Sequence, residues 1–420
     1  MMHETPIPIP HPPVNPFRPG AGQQPIYLAG RTKEQDTFQE MLKQNPVSQN
    51  VIVTGLRGVG KTVLLENLKP LAQAARWLWT GNDLSESVSL TEERIARRLV
   101  VDLSTLLGPL ITMQQSETPP GFTPIIMKTT RALAFDDLWS VYDKTPGLVL
   151  DKLQAVFAMV STLIKDAPID GIVFAYDEAQ NLADHAARKE YPLSLLLDLF
   201  SYLQRKPQAK SYMLVLTGLP TLFPKLNEAR TYTERMFHVL QLGRLSEADA
   251  RTAVVEPLSI TRSPLRFADS TVTQIVELSG GYPYFIQFIG KEVFDAWIGK
   301  IKKGEAPSVP LDEITEKLDQ DFFAPRWARA TDRQQQFMKV IATLPNAEEE
   351  FSVPDIVDAS RTFLRNGFTP SHAVQILQAL GERGLIYRNR RGAYCFAVPL
   401  LAEFINRQPW DPSSLKYGEE

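Results

Sequence analysis

Cysteine is nearly absent from this chain: Cys395 is the one thiol in 420 residues. That excludes a disulfide framework and a cysteine-ligated zinc site, and it fits a reducing compartment. Long apolar runs are missing as well. No stretch reaches the roughly 18 apolar residues of a membrane span, and the N-terminus has no apolar signal core, so the expectation is a soluble, cytoplasmic protein. Charge of one sign is also scarce. Lys and Arg number 45 against 48 Asp and Glu, a net charge of −3. Nothing about the whole molecule demands a polyanion, and any nucleic-acid surface has to be a local basic patch.

What is present is 44% hydrophobic and 22% charged sequence, enough for a sizeable core split into about two or three domains. Its centre is Gly55-Leu56-Arg57-Gly58-Val59-Gly60-Lys61-Thr62. This stretch follows the apolar run Val51-Ile52-Val53-Thr54 and leads into Val63-Leu64-Leu65, so it reads as strand, glycine loop and helix, the context of a phosphate-binding loop. Glycines let the backbone turn its N–H groups inward around phosphates, and the helix start adds partial positive charge. In such a loop Lys61 reaches the β/γ oxygens and the Thr62 hydroxyl holds Mg²⁺; Gly55, Arg57, Gly58, Val59, Gly60 and Val63 complete the candidate nucleotide contacts.

The flanking sequence is organised around that loop. Residues 1–25 hold Pro6, Pro8, Pro10, Pro12, Pro13, Pro16, Pro19 and Pro25 with Gly20 and Gly22, an extended arm that lies on the domain surface, stays disordered or docks on a neighbouring subunit. Leu28, Gly30 and Arg31 precede a helix over 33–43. Arg76 to Thr80 reads as a buried second strand, and Ser89 or Thr91 caps the next helix. Residues 111–142 show no clear period and are taken as an ordered loop or insertion; 148–164 resume a helical pattern. The strand Gly171 to Tyr176 ends in Asp177-Glu178, at the edge where ligands of open α/β sheets gather. Asp177 is the expected Mg²⁺ carboxylate and Glu178 the base for an attacking water. Thr217 ends another buried strand, either as a contact to the γ-phosphate or water, or as a plain strand end. Arg235, with Arg230 second, is the candidate arginine finger for a neighbour's nucleotide; its plain alternative is a surface ion-pair residue.

From Ser246, a capping-box start, the pattern turns helical and forms a lid, with Tyr282-Pro283 at a helix junction. Three short helices and a hairpin turning near Arg391-Gly392 then give a winged-helix pattern. Arg383, Arg388, Arg390 and Arg391 cluster around the wing, where they either neutralise DNA phosphates or mark a solvated turn.

Taken together, the pieces resemble the P-loop ATPases of the AAA+ and STAND group, particularly bacterial ATP-binding proteins with an Orc1/Cdc6-like ATPase domain. Leu28-Ala29-Gly30-Arg31 resembles that group's pre-loop motif, whose apolar residues flank adenine. Gly281-Tyr282-Pro283 resembles the lid motif whose proline approaches the base. The segments Thr233 to Phe237 and Gly280 to Gln287 are similar to the bacterial proteins. A second-sensor arginine in the lid is not evident, which leaves a cycling motor and a slow switch both open. No Asn-Lys-x-Asp guanine signature occurs, so adenine is preferred by elimination and by the pre-loop motif.

The resemblance implies an α/β P-loop NTPase fold, a parallel sheet with helices on both faces, with a helical lid and a C-terminal winged helix. The expected division is an arm over 1–25, an ATPase domain over 26–245, a lid over 246–325, a winged helix over 326–408 and a tail over 409–420. The expected activity is ATP hydrolysis with Mg²⁺, the nucleotide state governing engagement of duplex DNA or a DNA-acting protein, with homo-oligomers sharing sites. A slow nucleotide-gated signalling or scaffold switch that binds a protein partner is the alternative. A small-molecule kinase is disfavoured by Asp177-Glu178, which suits water activation, and by the winged helix.

Overall fold

Mostly apolar runs ending in glycine or running into aspartate set the three central strands of this protein's parallel sheet. The computed structural model describes residues 13–20, 22–45, 47–117, 127–206, 209–364, 366–390 and 392–409. It divides into two compact units. One takes the described residues of Arg31–Gly55 and Leu64–Leu242; the other takes those of Met1–Gly30, Leu56–Val63 and Gly243–Glu420.

In the first unit the chain forms β1 (Asn50–Gly55) and β2 (Trp77–Thr80), a hairpin of β3 (Thr112–Glu117) and β4 (Met127–Ala132), then β5 (Gly171–Tyr176), β6 (Ser211–Gly218) and β7 (Phe237–Leu242). Five strands make one parallel sheet in the order β2-β5-β6-β1-β7, and β3-β4 form a separate two-stranded sheet. On one face Ile52, Ile172, Phe174 and Leu214 are fully buried; on the other so are Val51, Val53, Val173 and Met213. Both faces are therefore covered, as an all-parallel sheet requires. The helices are α1 (Thr32–Leu42), α2 (Lys61–Ala74), α3 (Glu92–Leu107), α4 (Phe135–Lys144), α5 (Val149–Leu163), α6 (Pro192–Arg205), α7 (Leu222–Ala229) and α8 (Thr233–Met236). Thr91 caps α3, its side chain accepting from Arg94 N–H.

Two details differ from the sequence reading. β2 is an edge strand, and only Trp77 of its four residues is buried. The region without a clear period holds the β3-β4 hairpin and α4, whose Leu138 and Tyr142 are buried.

The second unit contains α9 (Glu247–Ile260), α10 (Asp269–Ser279), α11 (Pro283–Lys302), α12 (Leu311–Leu318), a π-turn over Asp319–Phe323, α13 (Ala324–Trp327), α14 (Asp332–Ala342), β8 (Phe351–Ser352), α15 (Val353–Phe363), α16 (Pro370–Glu382), β9 (Ile386–Arg390), β10 (Ala393–Phe396) and α17 (Leu401–Arg407). Ser246 caps α9 by accepting from Asp249 N–H at 3.1 Å. Helices α14, α15 and α16 with the sheet β8-β10-β9 form the winged helix. The two-residue β8 and the closing α17 add to the expected pattern. One apolar cluster runs through this unit, with Phe285, Phe322, Phe323 and Phe404 in a chain of ring contacts.

The proline-rich arm contributes to that cluster. Pro6, Pro8, Pro10 and Pro12 lie outside the described residues. Further on, Asn15 Nδ2 donates to Lys291 O and Asp295 Oδ1 at 3.0 and 2.8 Å, and Arg18 N–H donates to Gln287 Oε1. Between them Phe17 is 3% exposed and stacks on Phe267. Its ring occupies the space a Cβ would need at Gly290, 2.7 Å away. Phe17→Ala should therefore cost about 3 kcal/mol, as for a buried ring, and Gly290→Val should destabilise by displacing the same ring. Urea unfolding checks both; transitions at the wild-type position would mean the arm contributes nothing to the core.

Candidate functional site

The phosphate loop follows β1, whose six residues are all buried. Gly58 and Gly60 have φ of +81° and +91°, the left-handed region that glycine enters without a steric penalty. A Cβ at Gly60 would meet nothing within 4 Å, so conformation alone requires glycine there. At Gly58 it would also stand 3.0 Å from Tyr284 Cβ. Val59 is fully buried and pins the loop between the two glycines. Lys61, the first residue of α2, turns its Nζ back to Leu56 O at 2.9 Å. Thr62 and Val63 occupy the first turn, where backbone N–H groups and the helix dipole favour an anion. Gln24 of the arm donates to Val63 O at 3.4 Å, and Gly22 comes close to Thr62 Cγ2.

The lid meets the loop through the residue after the predicted motif. Tyr282 precedes α11, Pro283 is its first residue, and Tyr284 N–H donates to Gly58 O at 3.1 Å. The Tyr284 ring packs on Phe288 and Phe322. Burial raises its phenol pKa, Asp321 adds to the rise and Arg326 opposes it. Burial likewise raises Tyr282, with Glu348 adding to it. Leu28 is half-buried and Ala29 joins the lid cluster. Gly30 has φ +62° and approaches Asp249 so closely that a Cβ would lie 2.8 Å from its carboxylate. Arg31 is 6% exposed and lies 3.8 Å from Glu34, in the other unit.

At the sheet's C-terminal edge, Tyr176 pairs with Leu216, which sets Asp177 beside Thr217. Asp177 is 4% exposed; its Oδ1 accepts from Glu178 N–H at 2.7 Å and from the Thr217 hydroxyl. Thr217 therefore meets the carboxylate of the next strand. Glu178 has φ +52°, left-handed for a residue with a Cβ. Its carboxylate accepts from Gln180 Nε2, and Gln180 Oε1 accepts from Leu219 N–H. Gln180 was not singled out from the sequence; only its place two residues after Glu178 could have flagged it.

The two candidate arginines separate cleanly. Arg230 binds Asp198 in a bidentate pair at 3.0 and 2.7 Å, and Tyr232 donates to the same carboxylate. Burial works to raise the Asp198 pKa, but the hydrogen bonds from Arg230 and Tyr232 outweigh it and hold the carboxyl below its ordinary value. Arg235, on α8, is exposed, and its side chain makes no hydrogen bond or ion pair among the described residues.

On the wing, Arg390 pairs with Glu350 at 2.6 Å, Arg388 is exposed, and Arg383 donates to Arg329 O. Arg391 lies outside the described residues. The outward residues of α16, namely Ser371, Val374, Gln375, Gln378 and Glu382, include no cation.

A family profile described as a domain of unknown function (DUF8462) matches residues 320–405. No curated protein matches the sequence. Among solved structures, the ORC2 protein of Aeropyrum pernix in its ADP form is 12% identical over 92% of this chain and 96% of its own, with a TM-score of 0.53. Its ADPNP-ADP complexes give 13% identity over 92% and 96%, with a TM-score of 0.49. The Aeropyrum pernix ORC1 protein in complex with DNA gives 14% over 92% and 94%, with a TM-score of 0.43. At these identities the similarity is one of fold, and the fold of this chain is an Orc1/Cdc6-like AAA+ architecture with a C-terminal winged helix.

Proposed function

We propose that this protein binds and hydrolyses ATP with Mg²⁺, and that its nucleotide state controls engagement of DNA, or of a DNA-acting partner, through the winged helix. The observation that carries the nucleotide reading is the phosphate loop itself. Two left-handed glycines follow a buried strand, and a lysine and a threonine open the next helix. In this reading Lys61 holds the β/γ-phosphates, and Thr62 and Asp177 are the metal's protein ligands. The metal would supply charge neutralisation on the phosphates. Hydroxyl and carboxylate oxygens are the donors a hard cation takes, so the residues present fit it. Glu178 accepts the proton of the attacking water, and Gln180 orients it. Thr217 fixes Asp177. Leu28, Gly30, Arg31, Tyr282 and Pro283 surround the base, and adenine is preferred. Arg235 is the finger offered to a second copy, because Arg230 is committed to Asp198.

The proposed division keeps the ATPase domain at 26–245, the lid at 246–325 and the winged helix at 326–408. Support for the DNA output is the fold together with the exposed Arg388 and Arg383. A second reading, a nucleotide-gated switch that binds protein, is favoured by the α16 face, which offers no cation to a phosphate.

Nucleotide binding and turnover by purified variants test the first half. Lys61→Ala should lose ATP binding. Glu178→Gln should keep binding and lose turnover, and retained turnover would remove the base role. Arg235→Ala should keep nucleotide affinity and slow hydrolysis by about 10³-fold or more; an unchanged rate dismisses the finger. For the output, ATP turnover is measured with and without duplex DNA. Stimulation that fades with added salt supports the DNA reading, and indifference to DNA supports the protein switch.

A further inference from the structure

Four arginines come together in the unit that carries the phosphate loop. Arg57 belongs to the loop, and its guanidinium lies 3.6 to 3.9 Å from the position of a Cβ at Gly384, the residue after Arg383. Arg383 ends α16, where the helix dipole favours a cation, and it donates to Arg329 O. Arg326 of α13 lies 3.9 Å over the Phe322 ring and donates to Phe322 O. Burial pushes its guanidinium below the ordinary arginine value, and the neighbouring Arg57 and Arg329 push the same way. Arg57, Arg329 and Arg383 are exposed and Arg326 is half-buried. Among the described residues no carboxylate stands within ion-pair distance of any of the four.

Like charges held together in a net-acidic chain raise the free energy of the site until an anion arrives. The wing lacks such a surplus at Arg390, which Glu350 neutralises. We propose that Arg57, Arg326, Arg329 and Arg383 form a binding site for backbone phosphates of nucleic acid, beside the phosphate loop rather than on the outward face of α16. Solvent exposure of three of the four suits an external strand. Planar guanidiniums suit phosphate oxygens, which they can meet in bidentate fashion. Arg326 is the oriented member, because its stacking on the Phe322 ring fixes the plane of the fork. Arg57 gives the site its control: it stands four positions before Lys61, so closing of the loop around a nucleotide moves one of the four charges. The inference rests on the DNA reading of the winged helix and specifies where the strand lies.

The test is binding of the full-length protein to a duplex of about 30 base pairs, followed by fluorescence anisotropy between about 50 and 200 mM salt. The double variant R329A/R383A should weaken binding and flatten the log–log salt slope by about 2, close to one for each phosphate that is no longer neutralised. R329K/R383K should keep most of the slope, because lysine also neutralises phosphate. A wild-type slope in the alanine variant overturns the site. So does an equal flattening in the lysine variant, which would mean that the hydrogen bond from Arg383 to Arg329 is only structural. A tenfold weaker affinity for a fluorescent ATP analogue in the alanine variant would assign the cluster to the nucleotide's phosphates instead, and overturn it too. Wild-type protein that binds no duplex at the lowest salt removes the DNA reading itself, which separates that failure from failure of the site.

Discussion

A helix that begins with proline has its first N–H removed for it, and the next one needs a partner. In α11 that next N–H belongs to Tyr284, and its partner is the carbonyl of Gly58. This one hydrogen bond ties the start of the lid helix to the turn of the phosphate loop. It also explains why the loop is glycine at that point, since a methyl group there would press on Tyr284 Cβ. Loop conformation and helix position are thereby a single variable. Around this bond the aromatic packing of Tyr284, Phe285 and Phe322 continues into the core shared with the winged helix. A change in the loop has a packed, low-compressibility path to follow.

The strand-end carboxylates are arranged on a different principle. Asp177 is buried and held by donors that include Glu178 N–H and the Thr217 hydroxyl, a geometry that the register of β5 on β6 favours. Glu178, one residue on, sits in a left-handed backbone conformation that costs on the order of 1 kcal/mol for a residue with a Cβ. The rigid residue and the strained residue are adjacent. The sheet supplies the stability that the turn lacks.

Much of this could be read before any coordinates. The phosphate loop, the Asp177-Glu178 strand end and the caps Thr91 and Ser246 are local signals, set by residues within a few positions of one another. What escaped depends on contacts made across long sequence distances. Trp77 to Thr80 looks buried by composition, yet its position at the sheet edge leaves it a single strand partner. The β3-β4 hairpin alternates too few apolar residues to announce itself, and β8 is only two residues long. The choice between Arg230 and Arg235 needed Asp198, on a helix more than 30 positions away. The four-arginine cluster draws on the loop, α13 and α16, and no window of sequence holds all of them.

The prolines make residues 1–25 an arm, and of its possible placements the described residues take the one on the domain surface. Phe17 does more than lie there: its ring fills a notch on α11 cut by Gly290. A shortened chain starting at Ile26 would carry an unfilled hollow of aromatic size in the lid and expose Phe267 along its side. Such a chain would be sticky as well as less stable, because the hollow is lined by rings that a second molecule's apolar side chain could enter. The working boundary of this protein therefore lies upstream of Asn15, inside the proline-rich arm.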